Sequence, residues 1–599
     1  MSASALQFRR RWLSSAVFAG IATFVIASPL TLVANLTIDP PRGLQDATIE
    51  QRVAWFVPIA GETLRNFTFD LADELATHLP IPVHLPIGLR GPDYITWLWQ
   101  HRWSAAIYGR LTIGALGGLA FALPFSILTG FRSPRTRPAR WVEGPQLIDG
   151  RRAVQGARAA SARAIARTGR GIDIAPAIPI AREREIRSLL ILGAQRSGKT
   201  VVLRSLLRQL WSQKAKLVVH DTKGDMTETW PSEDSILLAP QDARSCGWDI
   251  GRDLRGELAT FEFASALLPE GKDPQWAQGA QIILTAILTA LQRQFGTAWG
   301  WREFCDALQL PPAKMKELVA ADPIAVSLLS IEETTEQFTK NAQSYVNSLF
   351  APLIRLVRPL SAAWGDLHPK FRVSLTAWLD DRSTAPRTLI LQRMPQFPET
   401  SRLWITAAIR HMVAVTGGAN FPDSSERHIW FIMDEFTKIG KIPNLFDLPA
   451  THASKGVRLA VALQSLGQAK EVYGPEAPDQ LASLSGTKII MKLEKSETAN
   501  YVVNVWIGKW RYQVPATVSR SGADGKSYTV TEWQDKEPEN LMLSGEFLRL
   551  GPHGFGVRGF VLGLDDNVYE LDWPYEEWPK QRDGAVPASW ITALPPAQG

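Results

Sequence analysis

The front of the chain carries two long runs without a charged side chain, and a ladder of short apolar runs follows them. Residues 12–38 supply 27 uncharged positions and residues 111–131 supply 21, against the ~20 apolar residues that a helix needs to cross a bilayer. Both predict membrane spans. The first run is long for a signal peptide, lacks a small-residue cleavage site and has a second span behind it, so it reads as an anchor. From about Ile172 short apolar runs alternate with amphipathic helices, the signature of a parallel α/β sheet. Strands are predicted at 189–192, 216–220, 235–239, Thr388–Gln392, 428–433, Val457–Leu463 and 488–493. Between about Leu254 and Ser383 the strand signals fade, and helices are predicted at 275–292, 311–321 and 332–357. The pattern describes an α/β core interrupted by an all-helical insertion.

Charge orients the spans. Arg9, Arg10 and Arg11 precede the first, while Arg132, Arg135, Arg137 and Arg140 follow the second, so both ends of the chain are expected in the cytoplasm. The loop 39–102 is then external, and its eight acids against five arginines agree with translocation. It is proline-rich and short, enough for a small cap. The net charge of +6 hides a concentration: residues 132–170 hold ten arginines against Glu143 and Asp149. A basic run just inside a span suits anionic lipid, and nucleic-acid phosphates offer the same chemistry, so both partners stay open. Cys246 and Cys305 both fall in the cytoplasmic part, which implies no disulfide framework. The nine histidines show neither metal-ligand spacing nor a His-Glu-x-x-His pair, which argues against structural zinc and a membrane zinc protease.

The chemistry concentrates at the ends of the predicted strands. Directly after 189–192 come Gly193, Ala194, Gln195, Arg196, Ser197, Gly198, Lys199 and Thr200, a complete phosphate-binding loop. Gly193 and Gly198 let the backbone curl so that its N–H groups point at phosphate, and the following helix adds its positive end. Lys199 is expected to bridge the β- and γ-phosphates of ATP, and Thr200 to hold Mg²⁺. A second strand, 429–433, delivers Asp434 and Glu435, the first to hold the magnesium and the second to polarise the attacking water as general base. Gln464 closes the strand Val457–Leu463, where a polar side chain can sense the γ-phosphate. Asp221 and Lys223, in the turn after 216–220, fit either the nucleotide's surroundings or an ordinary strand-ending turn.

With these motifs the chain resembles the bacterial type IV coupling proteins of the TraD/TrwB class, membrane ATPases that recruit a relaxase-bound DNA strand to a type IV secretion channel. The residues that carry the resemblance are 193–200, 221–225, 242–248, 434–440 and 463–468. The Asp-Glu-Phe run followed by Gly-Lys-Ile-Pro-Asn-Leu at 440–445 is the most specific. The resemblance implies a RecA-like motor with an all-α domain, assembling as a hexameric ring around DNA in the bacterial inner membrane. On that basis residues 1–131 are the membrane anchor and 132–171 a basic linker. Residues 172–253 and 384–575 form the RecA-like domain, 254–383 the all-α domain, and 576–599 a short tail.

One position departs from the family. Its members commonly carry Gly-Arg between the Asp-Glu strand and the glutamine strand, where the arginine is a candidate finger reaching a neighbouring subunit's γ-phosphate. Here Ala453 stands at that place, which leaves Lys455 or Arg458 as the cation. The leading function is therefore DNA translocation coupled to ATP hydrolysis, with DNA, relaxase, secretion-channel components, membrane and further copies of the chain as partners. A nucleotide-dependent receptor for secreted proteins and an FtsK-like DNA pump are the alternatives, and Glu435 argues against the first.

Overall fold

The computed structural model describes residues 21–32, 34–38, 48–50, 52–53, 104–132, 139–269, 274–331, 337–443, 445, 448–521 and 527–592. They fall into two compact units, drawn from Met1–Trp141 with Tyr512–Lys536 and from Val142–Arg511 with Glu537–Gly599.

In the first unit, the helix Ile21–Ile38 is long and apolar enough to cross a membrane, with a mean hydropathy of 1.9. A second helix, Ser104–Arg132, runs for 29 residues through Pro124. Its glycines let the two approach closely: a methyl group at Gly114 meets the Ser28 carbonyl at 3.3 Å, one at Gly117 strikes Thr31, and one at Gly118 strikes Ser28 and Phe24. Gly114 and Gly118 are four apart, the small-residue spacing that packs helices in lipid. The start of the first expected span and nearly all of the loop 39–102 lie outside the described residues. This unit also holds a long antiparallel hairpin, in which Gln513 pairs with Asp535 and Ser521 with Ser527. No strand was expected over these residues.

The second unit is built on an 11-stranded sheet. Its strands are β1 (Leu147–Ile148), β2 (Ser188–Leu192), β3 (Lys216–Asp221), β4 (Ser235–Leu238), β5 (Thr388–Gln392), β6 (Ile429–Met433), β7 (Val457–Leu463), β8 (Ser485–Ile490), β9 (Gly551–His553), β10 (Gly556–Leu562) and β11 (Val568–Pro574). The order is β1-β11-β10-β8-β2-β7-β6-β3-β5-β4, with β9 hung on β10. From β8 to β4 every pairing is parallel, whereas β10 runs antiparallel to β8 and β11. All seven expected strands are present; β1, β9, β10 and β11 are additional.

The central strands are continuous apolar runs because both of their faces are covered. Alternate residues enter two different cores. Leu190, Leu192, Phe431, Met433, Leu459 and Val461 pack with the helical insertion, while Leu189, Ile191, Trp430, Ile432, Ala460 and Ala462 pack on the opposite face. On that opposite face lie α1 (Gly150–Thr168) and α2 (Lys199–Ser212). Helix α1 falls inside residues 132–171, the stretch expected to be a basic linker. Ala153, Ala157 and Ser161, one helical turn apart, are fully buried, while Arg151, Arg152, Arg158, Arg163 and Arg167 are exposed. The small-residue stripe packs the helix onto the sheet, where Gly156 abuts Tyr569.

Between β4 and β5 the chain is mostly helical, built on α3 (Glu257–Leu267), α4 (Pro274–Phe295) and α5 (Ala351–Trp364), with α6 (Pro398–Gly417) beneath them. Part of the expected helix 332–357 lies outside the described residues, and the rest bends through a π-turn at Val346–Phe350. Asp253 ties the two ends of the insertion together. Its buried carboxylate accepts from Trp248 Nε1 at 2.8 Å, Ser374 Oγ at 2.5 Å and the Leu375 amide at 2.7 Å. Beyond β11 the chain does not leave the domain at once. Trp578 packs on Trp230 with ring centroids 5.7 Å apart, Arg582 donates to the Thr227 carbonyl at 2.7 Å, and Trp590 Nε1 donates to the Pro240 carbonyl at 2.8 Å.

Candidate nucleotide-binding site

The strand order decides what meets at the carboxyl edge of the sheet, where ligands of open α/β sheets bind. Strand β7 lies between β2 and β6, with Leu463 level with Leu192 and Val461 level with Met433. The phosphate-type loop after β2, Gln464 after β7 and the Asp434–Glu435 pair after β6 therefore stand side by side.

The loop is tied down at its entry and left polar within. The Gly193 amide donates to the Leu463 carbonyl at 3.1 Å and the Ala194 amide to the Lys492 carbonyl at 2.8 Å. Arg196 and Gly198 have φ of +60° and +98°, and a Cβ at Gly193 would collide with Ser197 and Met491. Only glycine at 193 and 198 lets the chain close this curl without strain. Lys199 opens α2, is 8% exposed, and turns its ammonium onto the Gly193 and Ala194 carbonyls at 2.7 and 3.0 Å. Burial lowers its pKa, against the attraction of Asp434 and Glu435. The Ser197 hydroxyl is buried and, among the described residues, has no hydrogen-bond partner. A buried lysine folded back on its own loop and an unsatisfied hydroxyl are the groups that a bound phosphate would satisfy.

The acidic half is more constrained. Glu435 sits at φ +51°, a left-handed conformation that costs a non-glycine residue energy and persists where its surroundings enforce it. Its carboxylate pairs with Lys438 and accepts from the Gln464 side-chain amide. Burial pushes the Glu435 carboxyl up, but Lys438 and Gln464 outweigh it, so the group stays ionised below the ordinary glutamate range. Asp434 goes the other way: burial, then repulsion from Glu435, pushes its pKa up to about 6. Behind it, His220 Nδ1 is 2.7 Å from the Asp434 carbonyl, which can only accept, so that ring nitrogen carries the proton. Burial pulls the His220 pKa down to about 4, so the ring is neutral at physiological pH. His220 and Lys438 were not singled out in the sequence. The spacing Glu435-x-x-Lys438 was the available signal.

Asp221 is spent on its own turn. Oδ1 accepts the Gly224 amide at 2.8 Å, and Oδ2 accepts the amide and hydroxyl of Thr227 at 2.8 and 2.9 Å. The exposed Lys223 beside it contributes positive potential at Lys199 and Glu435. Lys455 and Arg458 are not brought to this cluster. Arg458 is at the opposite edge of the sheet, 4% exposed, with Nε 3.2 Å from the equally buried Glu185 and Nη1 donating to the Arg427 and Gly456 carbonyls. Lys455 donates to the Phe421 carbonyl at 2.5 Å and pairs with exposed Asp423 at 3.3 Å.

A family model described as the type IV secretion-system coupling protein DNA-binding domain matches residues 173–566, which contain every group of this site. The chain belongs to that family. The coupling protein TraD of Escherichia coli (strain K12) is 24% identical over 464 residues, 75% of this chain and 60% of TraD. The chain thus matches less than two thirds of that relative's length. Among solved structures, unbound TrwBdeltaN70, a bacterial conjugative coupling protein, aligns at 18% identity with a TM-score of 0.58, covering 76% of this chain and 98% of its own. The plasmid coupling protein TrwB in complex with ADP and Mg²⁺ aligns equally well, again at 18% identity and 0.58 over 76% and 98%. At this identity the likeness establishes a common fold.

Proposed function

We propose that this coupling protein is a membrane-anchored ATPase that moves DNA, with a bound relaxase, toward a type IV secretion channel. The observation that carries the reading is the convergence of the loop 193–200, the Asp434–Glu435 pair and Gln464 on one sheet edge, in a chain whose family is that of the coupling proteins.

The residues fit the groups that such chemistry needs. The loop amides and Lys199 hold the β- and γ-phosphates, and Thr200 with Asp434 holds Mg²⁺, which supplies Lewis-acid stabilisation of the phosphoryl oxygens when bound. Glu435, ionised and fixed from two sides, accepts the proton of the attacking water. Gln464 aims that carboxylate and lies where it registers whether the γ-phosphate is present. Copies of the chain assemble as a ring, the expected form being a hexamer, in which a cation crosses to the neighbour's site. Lys455 suits this role better than Arg458, since its partner Asp423 is at the surface whereas Arg458 is locked in a buried pair.

Both N-terminal helices cross the inner membrane with the chain's ends in the cytoplasm. The glycine-mediated packing of Ser104–Arg132 against Phe24, Ser28 and Thr31 supports a two-pass anchor. The test is transfer from a donor cell carrying Lys199→Ala. DNA transfer is expected to be lost while the protein stays in the membrane fraction, and transfer at the normal frequency would overturn the motor reading.

A further inference from the structure

Phe555 is 88% exposed, the most exposed large apolar side chain among the described residues. Isolated surface aromatics are ordinary, but this one occupies a particular place. It sits in the turn between β9 and β10, where His553 pairs with Gly556 and Pro552 with Val557. Strand β10 is antiparallel to β8, which is parallel to β2, so β10 begins at the edge where β2 ends in the phosphate-type loop. The hairpin lies against that loop. A Cβ at Gly198 would strike the Val557 side chain, and one at Gly551 would come within 3.5 Å of the Ser197 carbonyl.

The direction of the ring follows from the ladder. Gly556 pairs with Pro574, and the pairing continues one step further, with the Tyr575 amide donating to the Phe555 carbonyl at 3.3 Å. Residues 555 and 575 therefore stand opposite each other and, by the two-residue period of a strand, on the face of Val557 and Trp573. That face packs with Val202 and Leu203 of α2, the helix that the loop feeds. Tyr575 is itself 52% exposed. Two exposed aromatic residues thus follow Val557 and Trp573 beyond the edge of the core, on the hairpin whose Gly551 and Val557 lie against Ser197 and Gly198. A methyl group at Gly554 would meet nothing within 4 Å, so the space beside the turn is open.

We propose that Phe555, with Tyr575 beside it, is the stacking platform for the base of the nucleotide whose phosphates are held by the loop 193–200. The inference rests on the nucleotide reading of that loop and extends it from phosphates to base. An aromatic face recognises the flat π-surface common to all bases, so the platform adds affinity for nucleosides over bare phosphates and discriminates little between adenine and guanine.

The full-length chain in detergent is titrated with ADP and with inorganic tripolyphosphate, both with Mg²⁺, by calorimetry. Phe555→Ala is expected to weaken ADP binding about tenfold while tripolyphosphate binding stays unchanged, and Phe555→Tyr to restore ADP binding. Unchanged ADP affinity in Phe555→Ala overturns the platform, as does an equal loss for both ligands. If Lys199→Ala binds both ligands as the unmutated chain does, or the unmutated chain binds neither, the loop itself is misread and the platform falls with it.

Discussion

Gln464 and Glu435 touch across neighbouring strands: the glutamine at the end of β7 donates its side-chain amide to the glutamate at the end of β6. The contact exists because β7 is inserted between the loop strand β2 and the acidic strand β6. On the proposed reading, the residue that senses the γ-phosphate and the residue that activates water are one hydrogen bond apart. Gln464→Ala is expected to lower kcat by ten- to a hundredfold while leaving the Kd for ADP within about twofold, because it removes alignment of the base and ADP lacks the γ-phosphate that Gln464 would register. Steady-state hydrolysis with a parallel binding titration checks this split.

Gly198 must adopt φ +98° with Val557 close behind it. Gly198→Ala adds both backbone strain and a clash, for an expected loss of about 1–3 kcal/mol in stability. It should also remove the rise in Tm that saturating ADP and Mg²⁺ give the unmutated chain. Thermal melts with and without nucleotide measure both effects.

The two expected finger cations separate by burial. Arg458 and Glu185 have side chains 5% and 4% exposed, so Arg458→Met leaves a buried carboxylate without its partner and should cost about 3 kcal/mol or more. Lys455→Ala breaks a pair with exposed Asp423 and a hydrogen bond to the Phe421 carbonyl, which should cost about 1 kcal/mol, yet lower turnover in assembled rings far more than in dispersed subunits. Denaturant unfolding of both variants, with hydrolysis measured in each assembly state, distinguishes a structural cation from one that acts on a neighbour.

What the sequence made legible was local. The loop 193–200 and the Asp434–Glu435 strand are contiguous, and the central strands show as apolar runs because they are buried on both faces. What stayed hidden depends on partners far along the chain. Arg458 and Glu185 are 273 residues apart, and nothing local marks them as a pair. Helix α1 was masked by composition: its arginines dominated the charge count while the apolar spacing was carried by alanines. Strands β9 and β10 carry Gly551, Gly556 and Gly559, which weaken their period-2 signal. The segment after Pro574 read as a tail, although Trp578 and Trp590 were a visible sign that it packs.

Lys216 joins the sheet to the insertion, its ammonium donating to the Trp378 and Asp380 carbonyls at 2.7 and 2.5 Å. Burial pulls its pKa down to about 8. The unfolded chain then binds more protons between that value and the ordinary lysine range near 10.4, so stability gains from this group as pH rises through the interval and loses it as pH falls through 8. The difference in Tm between the unmutated chain and Lys216→Met is expected to grow in favour of the lysine between pH 7.5 and 10. A difference that is flat with pH would mean that the ammonium is solvated as in water.

The central claim is that this edge of the sheet turns over ATP in the service of DNA movement. The most direct measurement is ATP hydrolysis by the full-length chain in lipid nanodiscs, with and without single-stranded DNA, for the unmutated protein and Glu435→Gln. The account expects DNA-stimulated hydrolysis in the former, and in the latter nucleotide binding with turnover reduced by at least about a hundredfold. Hydrolysis by Glu435→Gln at the unmutated rate, or an unmutated protein that binds ATP and never cleaves it in the presence of DNA, would contradict the account.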